Sequence, residues 1–476
     1  MTRQDFLKTA ACAAAAPLMA QTGRRNLIFI LSDDHSIDHF GRPAWLKTPG
    51  MDRMARGGAR FRNSFVTTSL CSPSRASILT GLYVHAHRVT DNVSPFPKGL
   101  LTFPELLQKA GYRTGFLGKW HMGNADDNPQ PGFDRWVSFR GQGVYNDPLL
   151  NMDGVRRQVK GYVTDILTEE ALRFIGQNSH RPFFLYLSHK AVHGFCVPAA
   201  RHRNLYSTEP IPYPQSMANT AENYRGKPDW VRRQRNSWHG VDGMYDHRIS
   251  FEQNYRDCCR TLMALDESIG QVLNALDEKR LLNDTLVLYM SDNGFQYGEH
   301  GLIDKRTMYE TSIRVPMLAH CPDLFGSGRE IDGMALNIDI APTLLEAASL
   351  PLPATFHGRS LLPLLRGTSE WRTEFLYEYF WERDYPQTPS MLGLRTDRYS
   401  YTNYHGVWDL DELYDLQQDP DQMHNLLGDV RITTQGGSLF AQIKDPERKR
   451  LVGDLRNRMF RILANTGGRR EPTWSA

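Results

Sequence analysis

No stretch of the 476-residue chain approaches ~18 consecutive apolar residues, which excludes a transmembrane helix and the stable membrane insertion it would bring. Nor does one charge dominate. Lys and Arg total 56 against 53 Asp and Glu, a net +3, so composition carries no signal for a nucleic-acid partner. There are no internal repeats, which removes solenoids and repeat arrays. With 40% hydrophobic and 23% charged residues the chain is globular in balance, and disorder is excluded. Cysteine is scarce: Cys12, Cys71, Cys196, Cys258, Cys259 and Cys321. Their scatter is neither a disulfide framework nor a zinc pattern, and the last four are expected to be buried thiols.

What is present begins with a distinct N-terminus. Arg3 and Lys8 flank Phe6 and Leu7, and an Ala-rich stretch from Thr9 to Ala20 follows, with Gln21 and Thr22 beyond a plausible cleavage point. Residues 1–22 are expected to be an export signal, placing the mature protein in a bacterial periplasm or outside the cell. Thr2 to Lys8 resembles a twin-arginine motif in which one arginine has become Gln4.

From Asn26 to Ser32 a nearly continuous apolar run ends in Asp33-Asp34, as a buried parallel strand reads. Strands and helices then alternate. Helices are expected over Thr102–Gly111, Val163–Asn178, Glu252–Lys279 and Ile340–Ala348; strands over Tyr112–Leu117, Phe183–Ser188, Thr285–Met290 and Ile313–Leu318. Such alternation implies an α/β domain, a large mostly parallel sheet flanked by helices, assigned to residues 24–365. Residues 366–476 carry short aromatic runs, Glu374–Phe380 and Arg398–Tyr404, without crossover helices, and are expected to form a smaller antiparallel C-terminal subdomain. Between His193 and Ser250 a polar, Arg- and aromatic-rich insertion has no period and reads as a surface excursion or lid.

Three polar clusters follow predicted strands: Asp33-Asp34, Lys119 to His121, and Asp292-Asn293. Ligands bind at that edge of open α/β sheets. The pairs Asp33-Asp34 and Asp292-Asn293, meeting there, could supply hard oxygen ligands for Ca²⁺ or Mg²⁺. Cys71-Ser72-Pro73-Ser74-Arg75 places a cysteine just ahead of a helix N-terminus, where negative charge is favoured, with Arg75 adding a fixed positive charge.

This Cys-x-Pro-Ser-Arg segment resembles the signature of the type I sulfatases, whose cysteine a maturation enzyme oxidises to formylglycine. Gly111 to His121 resembles the family's second signature, and Ser291 to Gly294 and Lys305 to Glu310 match two further segments in order and rough spacing. The resemblance covers Asn26 to Leu427 and implies an alkaline-phosphatase-like fold. It implies that Asp33, Asp34, Asp292 and Asn293, with the modified Cys71, bind one Ca²⁺ ion. It places Arg75, Lys119 and Lys305 around the sulfate, and gives His121 and His193 the proton transfers. Ala191 to Phe195 departs from the usual Pro-His-x-Pro form, because Gly194 and Phe195 replace the expected neighbours; His189, read as a strand-end surface histidine, is the fallback. The implied partners are a formylglycine-generating or sulfatase-maturating enzyme and a sulfated saccharide.

The implied chemistry accounts for these residue types. One oxygen of the formylglycine hydrate attacks sulfur in line with the departing alcohol. The cations hold the sulfate oxygens, and His193 protonates the leaving oxygen. A serine would stop at a stable sulfate ester, whereas the second hydroxyl of the hydrate lets a base, His121, expel sulfate.

Trp238 to Asp242, Gly298 to Lys305, Leu394 to Tyr399 and Glu412 to Leu416 resemble carbohydrate sulfatases, with the closest likeness to those acting on 6-O-sulfated N-acetylglucosamine in glycosaminoglycans or mucin-type glycans. Trp238, His239, His300, Arg395 and His405 are the specificity candidates. The alternatives are a phosphonate or phosphodiester hydrolase of the same superfamily, an arylsulfatase without a sugar role, and a non-catalytic glycan-binding relative. The last would be expected to have lost Cys71, Arg75 or a metal carboxylate.

Overall fold

A computed structural model describes residues 24–39, 43–368, 370–405, 410–430 and 442–469. The expected export signal lies outside these residues. Ten strands form one twisted sheet in the order Arg329–Ile331, Ala59–Phe61, Met317–His320, Leu286–Ser291, Leu27–Ser32, Phe183–Ser188, Arg113–Lys119, Arg135–Phe139, Leu149–Met152, Val155–Gln158. Its centre is parallel: Leu27–Ser32 pairs in register with Leu286–Ser291 on one side and Phe183–Ser188 on the other, and Arg113–Lys119 extends the array. Leu27 to Leu31 are wholly buried because helices cover both faces, which is why this strand reads as a continuous apolar run. Two apolar cores result, one per face. The helices Phe251–Glu278 and Val163–Asn178 close one side, and Cys71–Thr80 and Ile340–Ala347 lie on the other. Among the described residues, no helix is long and apolar enough to cross a membrane.

The second sheet has four antiparallel strands in sequence order: Glu374–Tyr379, Met391–Thr396, Tyr399–Tyr404 and Glu412–Asp415. The expected architecture, a large mostly parallel sheet with a smaller antiparallel one, is the one observed.

Two local expectations are corrected, and one element is added. The chain over Ile313–Leu318 is not one strand: a short helix, Glu310–Ile313, ends there, and the strand starts at Met317. Pro316 lacks an N–H and holds its predecessor extended, so the ladder begins after it. The C-terminal region also carries a helix beyond its strands, since Pro446–Asn465 forms a 20-residue helix against the small sheet. Its start is marked in the sequence, since the Asp445 side chain accepts the Arg448 N–H and Pro446 occupies the first turn. Finally, Cys196 and Cys258 are not idle thiols. They form a disulfide, with Cα atoms 5.1 Å apart, between the start of the insertion and the Phe251–Glu278 helix. Their separation of 62 residues hid the pairing.

Candidate active site

The four chain segments singled out above converge on one sheet edge. Asp33 and Asp34 follow Leu27–Ser32, Lys119 ends Arg113–Lys119, and Asp292 and Asn293 follow Leu286–Ser291. All five are buried. Gly118 makes the approach to Lys119: its φ is +121°, and a Cβ there would lie 1.8 Å from the Ser188 carbonyl oxygen. Asp34 and His121 adopt left-handed backbone at φ 58° and 51°, conformations that a non-glycine residue holds only when its surroundings enforce them.

Cys71 does not precede its helix but begins it, after Leu70 in extended conformation. The helix is buried along its whole length. Ser72 fixes this end: its N–H donates to Asn92 Oδ1 at 3.0 Å and its hydroxyl donates to the His121 carbonyl. The Cys71 thiol lies 3.5 Å from Asp33 Oδ1, and Lys305 Nζ is 2.8 Å from its Sγ. Burial pushes the thiol up to about 12 despite the nearby Lys119 and Lys305, so unmodified Cys71 is not a ready thiolate.

Around it three carboxylates face three cations. Lys119 donates to Asp33, and also to Gln142 Oε1 at 2.6 Å. Lys305 donates to Asp34 Oδ1 at 2.5 Å. Arg75 donates from Nε to Asp292 Oδ2 at 2.9 Å and from Nη1 to the Lys119 carbonyl and Ser188 Oγ at 2.7 and 2.8 Å. These charges divide the carboxylates. Burial works against Asp33, but Lys119, His193 and Arg75 hold it well below the usual range, whereas burial and repulsion from Asp33 push Asp292 up to about 6.

The two proposed proton-transfer histidines differ. His121 is fully buried with neither ring nitrogen hydrogen-bonded, and burial together with Lys119 and Arg75 keeps it neutral. His193 donates from Nδ1 to the Gly194 carbonyl at 2.6 Å, its Nε2 lies 3.8 Å from Asp34 Oδ2, and Tyr145 donates to its carbonyl at 2.7 Å. The departure at Gly194 has a local reason, since a Cβ there would meet the Tyr245 hydroxyl oxygen at 2.9 Å. His189 is corrected on both counts. It is buried rather than on the surface, and its Nε2 lies 3.1 Å from Ser268 Oγ on the Phe251–Glu278 helix, in the core on that face of the sheet.

Of the specificity candidates, Trp238 and His239 belong to an aromatic wall beside His193. Trp238 meets Tyr245 edge-on at 4.9 Å, Phe195 packs on Tyr245 at 4.6 Å, and His239 meets Tyr385 at 4.8 Å. The His239 carbonyl accepts the N–H of Ile303, two residues before Lys305. The other three lie elsewhere: Arg395 is paired with Glu310, His300 packs at a tilt on Tyr309 with ring centroids 4.0 Å apart, and His405 lines a separate cavity. Gln142, Tyr145 and Tyr245 were not anticipated, because no motif or period marks them.

The sulfatase family model matches residues 25–350, and the model of the N-sulphoglucosamine sulphohydrolase C-terminal region matches residues 298–449. An N-acetylglucosamine-6-O-sulfatase of Bacteroides thetaiotaomicron is 32% identical, covering 93% of this chain and 89% of its own. Human N-acetylglucosamine-6-sulfatase is 28% identical over 96% of this chain and 87% of its own. The solved structure of a protein in complex with its substrate D-glucosamine-2-N,6-O-disulfate superposes with a TM-score of 0.80 at 30% identity, covering 93% and 98% of the two chains. The phosphonate monoester hydrolase of Agrobacterium radiobacter, at TM-score 0.76 and 19% identity over 93% and 96%, shares the fold. This chain therefore belongs to the sulfatase family and is a sulfuric ester hydrolase.

Proposed function

We propose that the protein removes sulfate esters from carbohydrates, with 6-O-sulfo-N-acetylglucosamine in glycosaminoglycans or mucin-type glycans as its leading substrate, and that it does so after Cys71 has become formylglycine. One observation carries the reading: Cys71 heads a buried helix inside a ring of three carboxylates and three cations at the edge of a parallel sheet. The two 6-sulfatases and the glucosamine disulfate complex among its relatives support the sugar. The disulfide and the N-terminal pattern support export, since disulfides persist in oxidising compartments.

The residues fit a hard divalent cation. Ligand oxygens of Asp33, Asp34 and Asp292 lie within 4.8 Å of one another, and Asn293 Oδ1 is buried without a hydrogen-bond partner. This all-oxygen set, completed by the modified Cys71, suits Ca²⁺. When present, the ion and the aldehyde hydrate made from Cys71 would supply Lewis acidity at the sulfate and the oxygen that attacks sulfur.

The chain's own residues do the rest. Lys119 and Lys305 hold sulfate oxygens and stabilise the charge that develops on them. Arg75 fixes Asp292 and the carbonyl of Lys119, so both the carboxylate ring and the lysine stay in place. His193 donates to the departing sugar oxygen; burial chiefly keeps its imidazole neutral with Lys119 and Lys305 adding to it, and the arriving sulfate anion offsets those cations. His121, neutral in its buried position, is the base that removes a proton from Cys71's modified side chain and releases sulfate. Trp238 and Tyr245 face the sugar.

The test is sulfate release from a panel led by N-acetylglucosamine-6-sulfate, using protein co-expressed with a formylglycine-generating enzyme and with conversion at Cys71 checked by peptide mass. Release that is lost in Cys71→Ala is expected. Release only from other sugars would overturn the glucosamine assignment, and none from fully converted protein would overturn the carbohydrate sulfatase reading.

A further inference from the structure

Lys190 is a buried cation, 5% exposed, two residues beyond the Phe183–Ser188 strand and three before His193. It therefore stands at the same sheet edge as Asp33, Lys119 and Asp292. Its carbonyl accepts the His193 N–H at 3.0 Å, and the next carbonyl, that of Ala191, accepts the Asp33 N–H at 2.9 Å, so its backbone is tied to both the proposed acid and the carboxylate ring. Its Nζ lies 4.8 Å from the centroid of Tyr145, the residue whose hydroxyl donates to the His193 carbonyl. Among the described residues, the ammonium rests on that ring and forms no ion pair or hydrogen bond.

The charge balance makes this arrangement informative. Asp33, Asp34 and Asp292 are matched one for one by Lys119, Lys305 and Arg75. Lys190 is the surplus. Asp33 and Asp34 attract it from a distance but neither pairs with it, and a buried cation without a direct ion pair is costly unless something negative arrives beside it. In the proposed mode Lys119 and Lys305 take the scissile sulfate, whereas the Lys190 ammonium lies over Tyr145 and its backbone is bonded to His193, the proposed donor to the sugar oxygen.

We infer that Lys190 binds a second anionic substituent of the substrate, a sulfamate on the sulfated sugar or a carboxylate on its neighbour, and so selects glycans carrying negative charge beside the 6-sulfate. The inference rests on the sulfatase reading. Burial and the neighbouring Lys119 lower its pKa to about 8, which leaves the ammonium mostly charged at neutral pH and in want of an anion.

The experiment compares kcat and KM on three probes: N-acetylglucosamine-6-sulfate, glucosamine-2-N,6-O-disulfate, and a disaccharide of N-acetylglucosamine-6-sulfate linked to a uronic acid. Wild-type protein is expected to favour at least one dianionic probe by about tenfold, mainly through KM, the scale of one charged hydrogen bond. The probe favoured identifies the sulfamate or the carboxylate as the partner. Lys190→Met should erase that preference and Lys190→Arg should keep most of it, a contrast that general loss of structure would not produce. No preference in the wild type, or equal losses on all three probes in Lys190→Met, would overturn the inference while leaving the sulfatase reading intact. Should Lys190→Met fail to fold, the wild-type preference and its decline with added salt decide the question alone. Absence of sulfate release from every probe by converted wild-type protein would be a failure of the underlying reading.

Discussion

The cleft has two unlike halves. On the Cys71 side the three carboxylates and Lys119 stand at the ends of central strands, Arg75 lies in the helix that Cys71 heads, and Lys305 comes from the loop before Glu310–Ile313; none is more than 5% exposed, and each carboxylate has its own cation. On the other side the wall comes from the insertion after His193, where short turns of helix replace long elements, Tyr245 has left-handed backbone, and Trp238 is 37% exposed. In the proposed mechanism the first half recognises a tetrahedral oxyanion, which is the same in every sulfate ester, and the second meets the part of the substrate that varies. A rigid ring held by the sheet and a wall built on irregular chain are what those two tasks require, and substitutions in the two halves should therefore fail differently.

The largest effect is expected at Cys71. In Cys71→Ser the hydroxyl can attack sulfur and expel the sugar alcohol, but the serine sulfate that remains has no second hydroxyl with which to break the S–O bond. Turnover should fall by on the order of 10⁴ or more, and intact mass should show a covalent gain of about 80 Da on incubation with substrate. Steady turnover by Cys71→Ser would break the assignment of this half. Next comes Arg75→Met, which removes one charge of a buried pair and leaves Asp292 uncompensated. Melting should reveal a loss of about 3–5 kcal/mol, and kcat should drop on the order of 100-fold as Lys119 loses its anchored carbonyl. KM should change far less, because the sugar wall is untouched.

The same contrast governs what could be read from the residues alone. Asp33-Asp34, Lys119 and Asp292-Asn293 were legible because each follows a run whose apolar character marks a buried parallel strand, so that position along the chain fixed position in space. The helix over Val163–Asn178 and the strand over Phe183–Ser188 were legible for the same reason of strong local pattern. The wall was not. Phe195, Trp238, Tyr245 and Tyr385 meet from three distant stretches without a period, and Arg395 and His405, equally suggestive in sequence, turn away into the small sheet and another cavity. The Cys196–Cys258 pairing escaped for a related cause: nothing near either cysteine marks the other, 62 residues away. Lys190 carried the strand-end signal and was missed because no motif surrounded it.

The disulfide joins the halves, since Cys196 lies three residues after His193 and Cys258 sits in the long helix behind the sheet. Cys258→Ser should lower stability by about 2–4 kcal/mol, the usual scale for opening a loop of this length. Losing that anchor should also cost kcat on sugar sulfates, whose alkoxide needs a proton from His193, by roughly tenfold, and should cost less on an aryl sulfate whose phenolate leaves unaided. Equal losses on both esters would mean that the bridge stabilises the fold without placing His193.

The smallest effect tests the variable half directly. Trp238 presents its ring edge to Tyr245 and remains partly open to solvent, so truncating it removes a surface for the sugar without opening the core. Trp238→Ala should leave melting nearly unchanged and raise KM for the sugar sulfate by about 5–30-fold, the value of one to two kcal/mol of lost stacking. The kcat should hold within about threefold, because uniform binding is lost and the transition state keeps its cations. An aryl sulfate, which carries its own ring, is expected to lose less. A fall in kcat on both esters would place Trp238 in the ordering of His193 rather than in sugar binding, and the division between an oxyanion half and a sugar half would then fail at this residue.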